Sequence, residues 1–184
     1  MATQSAILGP FFRHDHPIRE KGASIHMTKG EGAEDAYMYG RVLDAKTGQA
    51  LVGATVDVWQ ASTNGTRSSR TPNQTTLLTR VGLYEQQDDQ QVEHNLRGKF
   101  KTDSNGEYAF YCIRPTPYPV PSDGPGGKLL QLMDRHPYRP AHIHLIVRPG
   151  LQVSFDMLKL CTGTHRGLQA HHHPDLRQGQ QVLG

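Results

Sequence analysis

The stretch Arg139-Pro140-Ala141-His142-Ile143-His144-Leu145-Ile146-Val147 decides how this chain is read. From Ile143 onward it is apolar and rich in β-branched residues, the composition of a strand. Residues two apart on a strand share a face. His142 and His144 therefore direct both imidazoles to one side while Ile143 packs on the other. Two nitrogen donors aimed at one point suit a metal ion. The same spacing also suits two half-buried histidines with satisfied hydrogen bonds, and the motif alone leaves both open.

Working outward, residues 37–44 and 53–60 read as strands, and Asp44-Ala45-Lys46-Thr47-Gly48-Gln49 supplies turn residues between them. Residues 98–103 and 106–113 form the next expected pair, with Ser104-Asn105-Gly106 as the hairpin turn joining them. Residues 142–148 make a fifth strand. The one good helix candidate covers 128–134, entered from Gly126-Gly127 and stopped at His136-Pro137. Short strands at close spacing with Gly/Pro turns predict an all-β chain folded as a β-sandwich with one short helix.

Composition agrees. A chain of 184 residues fits one domain with a single sizeable core. Hydrophobic residues make up 35%, mean hydropathy is −0.61, and there are 19 glycines and 12 prolines. That balance suits a turn-rich β protein and leaves little for long helices. The net charge of +3 is small, and the 20 basic residues are not clustered with aromatics, so nucleic acid is not an expected partner. No run of roughly 18 apolar residues is present to span a membrane. Met1-Ala2-Thr3-Gln4-Ser5 lacks the basic and apolar regions of a signal peptide. Cys112 and Cys161 are isolated and without metal-ligand spacing, as expected of reduced thiols in a cytoplasmic protein.

Two segments depart from the pattern. Residues 66–81 hold five threonines, three arginines and no acid, show no hydrophobic period, and read as an atypical insertion. Residues 151–184 read as an atypical, disordered tail, in which His171-His172-His173 offers adventitious metal affinity at most.

Other motifs accompany the histidines. They are Leu8-Gly9-Pro10-Phe11-Phe12, Trp59-Gln60-Ala61-Ser62-Thr63-Asn64-Gly65, Gly82-Leu83-Tyr84 and Thr116-Pro117-Tyr118-Pro119-Val120-Pro121. In this order, and followed by Arg139-Pro140-Ala141-His142-Ile143-His144, they resemble the intradiol ring-cleaving dioxygenases. The likeness is greatest to the hydroxyquinol 1,2-dioxygenase branch of the catechol 1,2-dioxygenase family. It runs from about Ala6 to about Pro149, interrupted at 66–81. Omitting that insertion restores the family's Trp-x-Ala-x-x-x-Gly-x-Tyr spacing. The resemblance implies a catalytic β-sandwich of the intradiol type over 1–150, incomplete at the C-terminus, where the family carries a Thr-Gln pair near its iron. The family's helical region, which forms its dimer, precedes the Leu-Gly-Pro-Phe motif and is not found here, which leaves homodimerisation open.

The resemblance further implies one non-haem Fe(III) per chain, held by Tyr84, Tyr118, His142 and His144. The residue types suit the ion. Fe(III) is a hard Lewis acid that favours anionic oxygen, and a free phenol titrates near ~10, so the metal must hold each tyrosine ionised. Alternate prolines around Tyr118 fix φ and favour an extended path that presents a ligand at low entropic cost. By resemblance Tyr118 is the tyrosinate that dissociates and serves as a base, and Tyr84 the one that stays. Arg139 would stabilise charge developing beside the ring. Arg139 and Tyr118 are thus the expected catalytic residues, and Leu8, Gly9, Pro10, Val120, Pro121 and Arg139 line the expected substrate slot. The implied reaction uses O2 to open an aromatic diol or triol, catechol or hydroxyquinol, between its adjacent hydroxyls. A cis,cis-muconate-type product results, in aromatic compound catabolism.

Two other readings compete. Residues 40–44 and 47–56 also resemble transthyretin-like and carboxypeptidase regulatory-like domains, β-sandwich binding modules without this set of tyrosines and histidines. The chain could instead be an inactive, degenerate dioxygenase. Fold alone does not separate these; the site must. Elsewhere, His14 and His16 flank Asp15 ahead of Pro17 and read as a solvated cluster.

Overall fold

The computed structural model describes residues 7–70, 76–120, 124–150 and 158–162, with side chains except at 66–81 and 158–162. In chain order the described elements are β1 (Asp35–Asp44), β2 (Thr55–Gln60), β3 (Ser62–Arg70), β4 (Thr76–Leu83), β5 (Arg97–Lys101), β6 (Glu107–Ile113), β7 (Tyr118–Pro119), α1 (Pro125–Leu132), β8 (Tyr138–Arg139), β9 (Ile143–Arg148) and β10 (Leu158–Thr162). Two antiparallel sheets, ordered β10-β1-β6 and β5-β2-β9, make the sandwich. The all-β expectation with one helix holds.

Alternation along the strands builds the core. Val42 and Phe110 from one sheet meet Val56, Val58 and Phe100 from the other, all fully buried. Phe100 and Phe110 stack with ring centroids 5.1 Å apart. Burying each such side chain stabilises the fold by about 1.5–3 kcal/mol. Cys112 is free and lies in this core, where burial pushes its thiol up to about 12 and leaves it unreactive at neutral pH.

The turn after β5 differs from the expected hairpin. Asp103 Oδ1 accepts from the backbone N–H groups of Asn105 and Glu107, both at 2.9 Å, and Gly106 takes φ +73°, so the bend is as tight as its residues demand. Yet β5 pairs with β2 and β6 with β1. The bend carries the chain from one sheet to the other. Turn residues set the local geometry but not the pairing partner. The helix also begins earlier than expected, at Pro125, because proline is well suited to the first helical position, where no N–H is needed.

Extended residues 17–25 cover one side of the sandwich. Lys99 N donates to Pro17 O and Arg19 N to Lys99 O, both at 2.8 Å, on the edge of β5. Ile25 N donates to Tyr111 O at 2.9 Å on the edge of β6. Both strand edges are thereby blocked from pairing elsewhere.

Residues 66–81 lack a hydrophobic period, yet the backbone of 66–70 and 76–81 belongs to a ribbon. β3 and β4 pair antiparallel from Ser62↔Leu83 to Arg70↔Thr76. The chain leaves the sandwich and returns to the same place, with Gly82 against Ala61. Of the tail expected to be disordered, Leu158–Thr162 pairs instead with the edge of β1, from Asp44↔Leu158 to Gly40↔Thr162. An unpaired edge strand is a template for any extended segment within reach. Residues 151–157 and 163–184 lie outside the described residues, as does Pro121.

Candidate metal centre

β2 turns Val56 and Val58 into the sandwich core, so Asp57 and Trp59 point to the outer face of the sheet. β9 does the same. Ile143, Leu145 and Val147 pack on the main core, while Ile146 joins a second cluster with Trp59, Ala61, Tyr84 and Tyr118. An outer sheet face often meets water. Here Phe11 and Phe12 cover it, and Trp59 and Tyr84 are each only 1% exposed.

His142 and His144 share that outer side, as their spacing predicts. Their Nε2 atoms lie 3.1 Å apart. His142 Nδ1 donates to Pro140 O at 2.6 Å, which leaves the Nε2 lone pair free to face its neighbour. The His144 ring lies flat on Trp59, its register partner across the sheet, with centroids 4.6 Å apart and planes 2° from parallel. Burial first, then the charges of His142, Arg139 and Arg97, holds His144 down to about 4. It is therefore neutral at neutral pH, the form in which imidazole binds metal.

The two tyrosines meet the histidines here. Tyr118 is 5% exposed, its ring 5.5 Å from that of His142 and 5.4 Å from that of Tyr84, edge to face. Arg139 Nη1 donates to Tyr118 Oη at 2.6 Å, a contact set by the Tyr118↔Arg139 pairing of β7 with β8. Phe11 stacks on Tyr84 at 4.3 Å and 16°. The Tyr84 hydroxyl is buried and makes no hydrogen bond of ordinary geometry among the described residues. Burial chiefly, and Tyr118 next, pushes its ionisation above the ordinary phenol range. Leaving such a group unsatisfied costs about 1–3 kcal/mol. A cation bound to the oxygen removes that penalty and reverses the shift.

The donors fit the ferric ion that the motifs imply. Nitrogens about 3 Å apart have the spacing of two ligands each about 2.1 Å from one ion and at about a right angle. Two phenol oxygens supply the hard, anionic complement.

Of the expected slot residues, Leu8 is exposed, and Gly9 takes φ +78° in the turn before Phe11. Pro10 is exposed, while Val120 is half-buried next to Gly126 of α1. Phe11, which no local pattern marks as a site residue, is the member of this segment that stacks on Tyr84 and meets Tyr118 edge-on. Trp59 is legible in the sequence only as part of a motif.

The solvated reading of His16 is corrected. His16 is 3% exposed, and its Nδ1 bonds Asp57 Oδ1 while Arg97 Nη1 donates to its Nε2 at 3.0 Å. Asp57 sits between two valines on a strand. A carboxylate buried there requires a partner, and that is the available signal. His14 and Asp15 are exposed, as expected.

A family model described as Dioxygenase matches residues 77–153. The chain is 46% identical over 145 residues to the intradiol ring-cleavage dioxygenase prcA of Aspergillus niger, an alignment covering 79% of this chain and 41% of that protein. It is 43% identical to the catechol 1,2-dioxygenase of Candida albicans, over 77% of this chain and 41% of that one. The structure of hydroxyquinol 1,2-dioxygenase from Pseudomonas putida superposes with a TM-score of 0.67 at 34% identity, covering 88% of this chain and 48% of the other. This chain spans less than half the length of each of these relatives. By its motifs, its fold and these likenesses, the chain belongs to the intradiol ring-cleavage dioxygenase family.

Proposed function

We propose that Tyr84, Tyr118, His142 and His144 hold one ferric ion with which the protein cleaves a catechol-type ring between adjacent hydroxyls, consuming O2 and yielding a cis,cis-muconate-type product. The observation that carries this reading is the convergence of two phenols and two imidazole Nε2 atoms on one covered sheet face. A binding module of the transthyretin-like kind has no use for such a donor set. When bound, ferric iron would supply the electron-accepting Lewis-acid chemistry that activates a catechol-type ring toward O2.

The chain's own residues then divide the work. His142, held through Pro140 O, and His144, held flat on Trp59, are donors with fixed orientation. Tyr84 is clamped between Phe11 and Tyr118 and stays in place. Tyr118 would be one of the residues that hold the iron, and with Arg139 as a second partner its oxygen can take up a substrate hydroxyl proton and remain hydrogen-bonded. The Arg139 guanidinium keeps its charge throughout and stabilises the anion beside the ring. Phe11 and Trp59 keep water from the far side. No helix among the described residues is long and apolar enough to cross a membrane, and a cytoplasmic setting is part of the proposal.

Tyr118→Phe tests the assignment. It should abolish ring cleavage while the protein stays folded, and undiminished turnover would remove Tyr118 from the mechanism. For substrate we favour hydroxyquinol, on the Pro117-Tyr118-Pro119-Val120-Pro121-Ser122-Asp123-Gly124-Pro125 run and its likeness to that branch. The kcat/KM for 1,2,4-trihydroxybenzene should exceed that for catechol, judged against the same pair on a reference enzyme. A ten-fold preference for catechol would move the assignment to the catechol branch.

A further inference from the structure

Arg97 opens β5 on the same outer face as Trp59, its register partner, and its side chain is completely buried. Its Nε donates to Glu85 Oε1 at 2.7 Å, Nη1 to Phe11 O at 2.7 Å and to His16 Nε2 at 3.0 Å, and Nη2 to Gln86 Oε1 at 3.0 Å. Nη2 also lies 2.7 Å from Glu85 Oε2 as an ion pair. The fork thus makes four hydrogen bonds, and the ion pair with Glu85 adds to them. Beyond His16 the chain of contacts ends on Asp57, whose other oxygen lies 3.3 Å from Arg148 Nη1.

The acceptors are not a random set. Glu85 is the next residue after Tyr84, and Phe11 is the ring stacked on Tyr84. One planar cation therefore fixes both the aromatic ring that covers the tyrosine and the residue that continues its backbone. The loop delivering Arg97 has left-handed backbone at His94 (φ 60°) and Leu96 (φ 59°), conformations that side chains other than glycine rarely adopt.

Resting on the ferric reading above, we infer that Arg97 is a positioning residue for the metal centre. Through Glu85 and the Phe11 carbonyl it sets the place and tilt of the Tyr84 phenol, without touching metal or substrate. A lysine in its place keeps the charge but not the fork, and reaches one or two of these acceptors.

The test uses the 184-residue protein loaded with Fe(III), and compares wild type with Arg97→Lys, Glu85→Gln and Val56→Ala. Val56→Ala opens a cavity in the sandwich core and serves as a variant that is destabilised for another reason. Thermal melting establishes folding, chelator competition reads iron retention, and visible absorption reads the tyrosinate-to-iron charge-transfer band. Arg97→Lys and Glu85→Gln should shift the band maximum and release iron to chelator at least ten-fold faster, whereas Val56→Ala should leave the band in place. If Arg97→Lys does not fold, Glu85→Gln probes the same link with an isosteric amide. Wild-type spectra and iron retention in a folded Arg97→Lys or Glu85→Gln protein would overturn the inference. So would an equal shift in Val56→Ala, because general destabilisation would then account for it. A wild-type protein that binds iron without any such band would refute the ferric-tyrosinate reading itself, which is a different result.

Discussion

On the outer face of the β5-β2-β9 sheet two polar clusters lie side by side, satisfied in opposite ways. Around Arg97, four hydrogen bonds and an ion pair hold the guanidinium, and Asp57, His16 and Glu85 are tied into the same network. Around Tyr84 the ties are fewer, and Tyr118 and His142 are held by Arg139 and the Pro140 carbonyl. The Tyr84 hydroxyl makes no hydrogen bond of ordinary geometry among the described residues, and the two histidine Nε2 atoms face each other. Buried polar groups are normally paired, so the closed cluster reads as scaffold and the open one as a site suited to an ion. The closed cluster also explains how an open one survives in a folded protein. Charge pairs in the closed cluster hold the backbone beside Tyr84 in place, so its hydroxyl can stay without a hydrogen bond of ordinary geometry among the described residues.

The largest expected effects strike the open cluster. His142→Ala or His144→Ala leaves three protein donors, and iron measured by elemental analysis should fall to background. Full iron content in either variant would remove that residue from the ligand set. Next comes the closed cluster. Arg97→Met removes one of two arginines paired with buried Glu85, leaving Arg13, and lowers stability by about 1–3 kcal/mol, read by urea denaturation. A loss below about 1 kcal/mol would mean that the network carries little of the fold.

Gly82 packs against the open cluster. Its backbone N–H donates to Pro117 O at 2.9 Å, and a Cβ added there would lie 2.9 Å from Ala61 Cβ and 3.1 Å from Tyr118 Cβ. Gly82→Ala should cost about 1–3 kcal/mol and weaken iron binding together with stability, because overpacking moves Tyr118. Unchanged iron binding would show that the centre tolerates displacement of that strand.

The smallest effect belongs to neither cluster. Lys21 holds Asp103 down to about 2, well below its ordinary 3.8. Its folded-state pKa is depressed, so this stabilisation is present above about pH 4 and lost as pH falls toward 2. Lys21→Ala should flatten that part of the acid stability curve and leave iron binding untouched.

Legibility in the sequence divides along the same line. His142, His144, Tyr118 and Arg139 lie close together in sequence, in or beside short extended segments, and alternation on a strand is a local rule. Five of the strands are legible for that reason. Pairing is not, because Asp103–Gly106 specifies a bend and says nothing about which sheet receives β6. The closed cluster is illegible for a related reason. Phe11, His16, Asp57, Glu85 and Arg97 are far apart along the chain, and their only local trace is a carboxylate set between valines. The pairing of β3 with β4 is hidden because backbone hydrogen bonds can form without any hydrophobic period in the sequence.

The most direct measurement is the visible spectrum of the purified protein titrated with Fe(III). A broad charge-transfer band should grow to saturation at one iron per chain, and then shift when catechol is added. A colourless protein carrying one equivalent of bound iron would contradict ligation by Tyr84 and Tyr118.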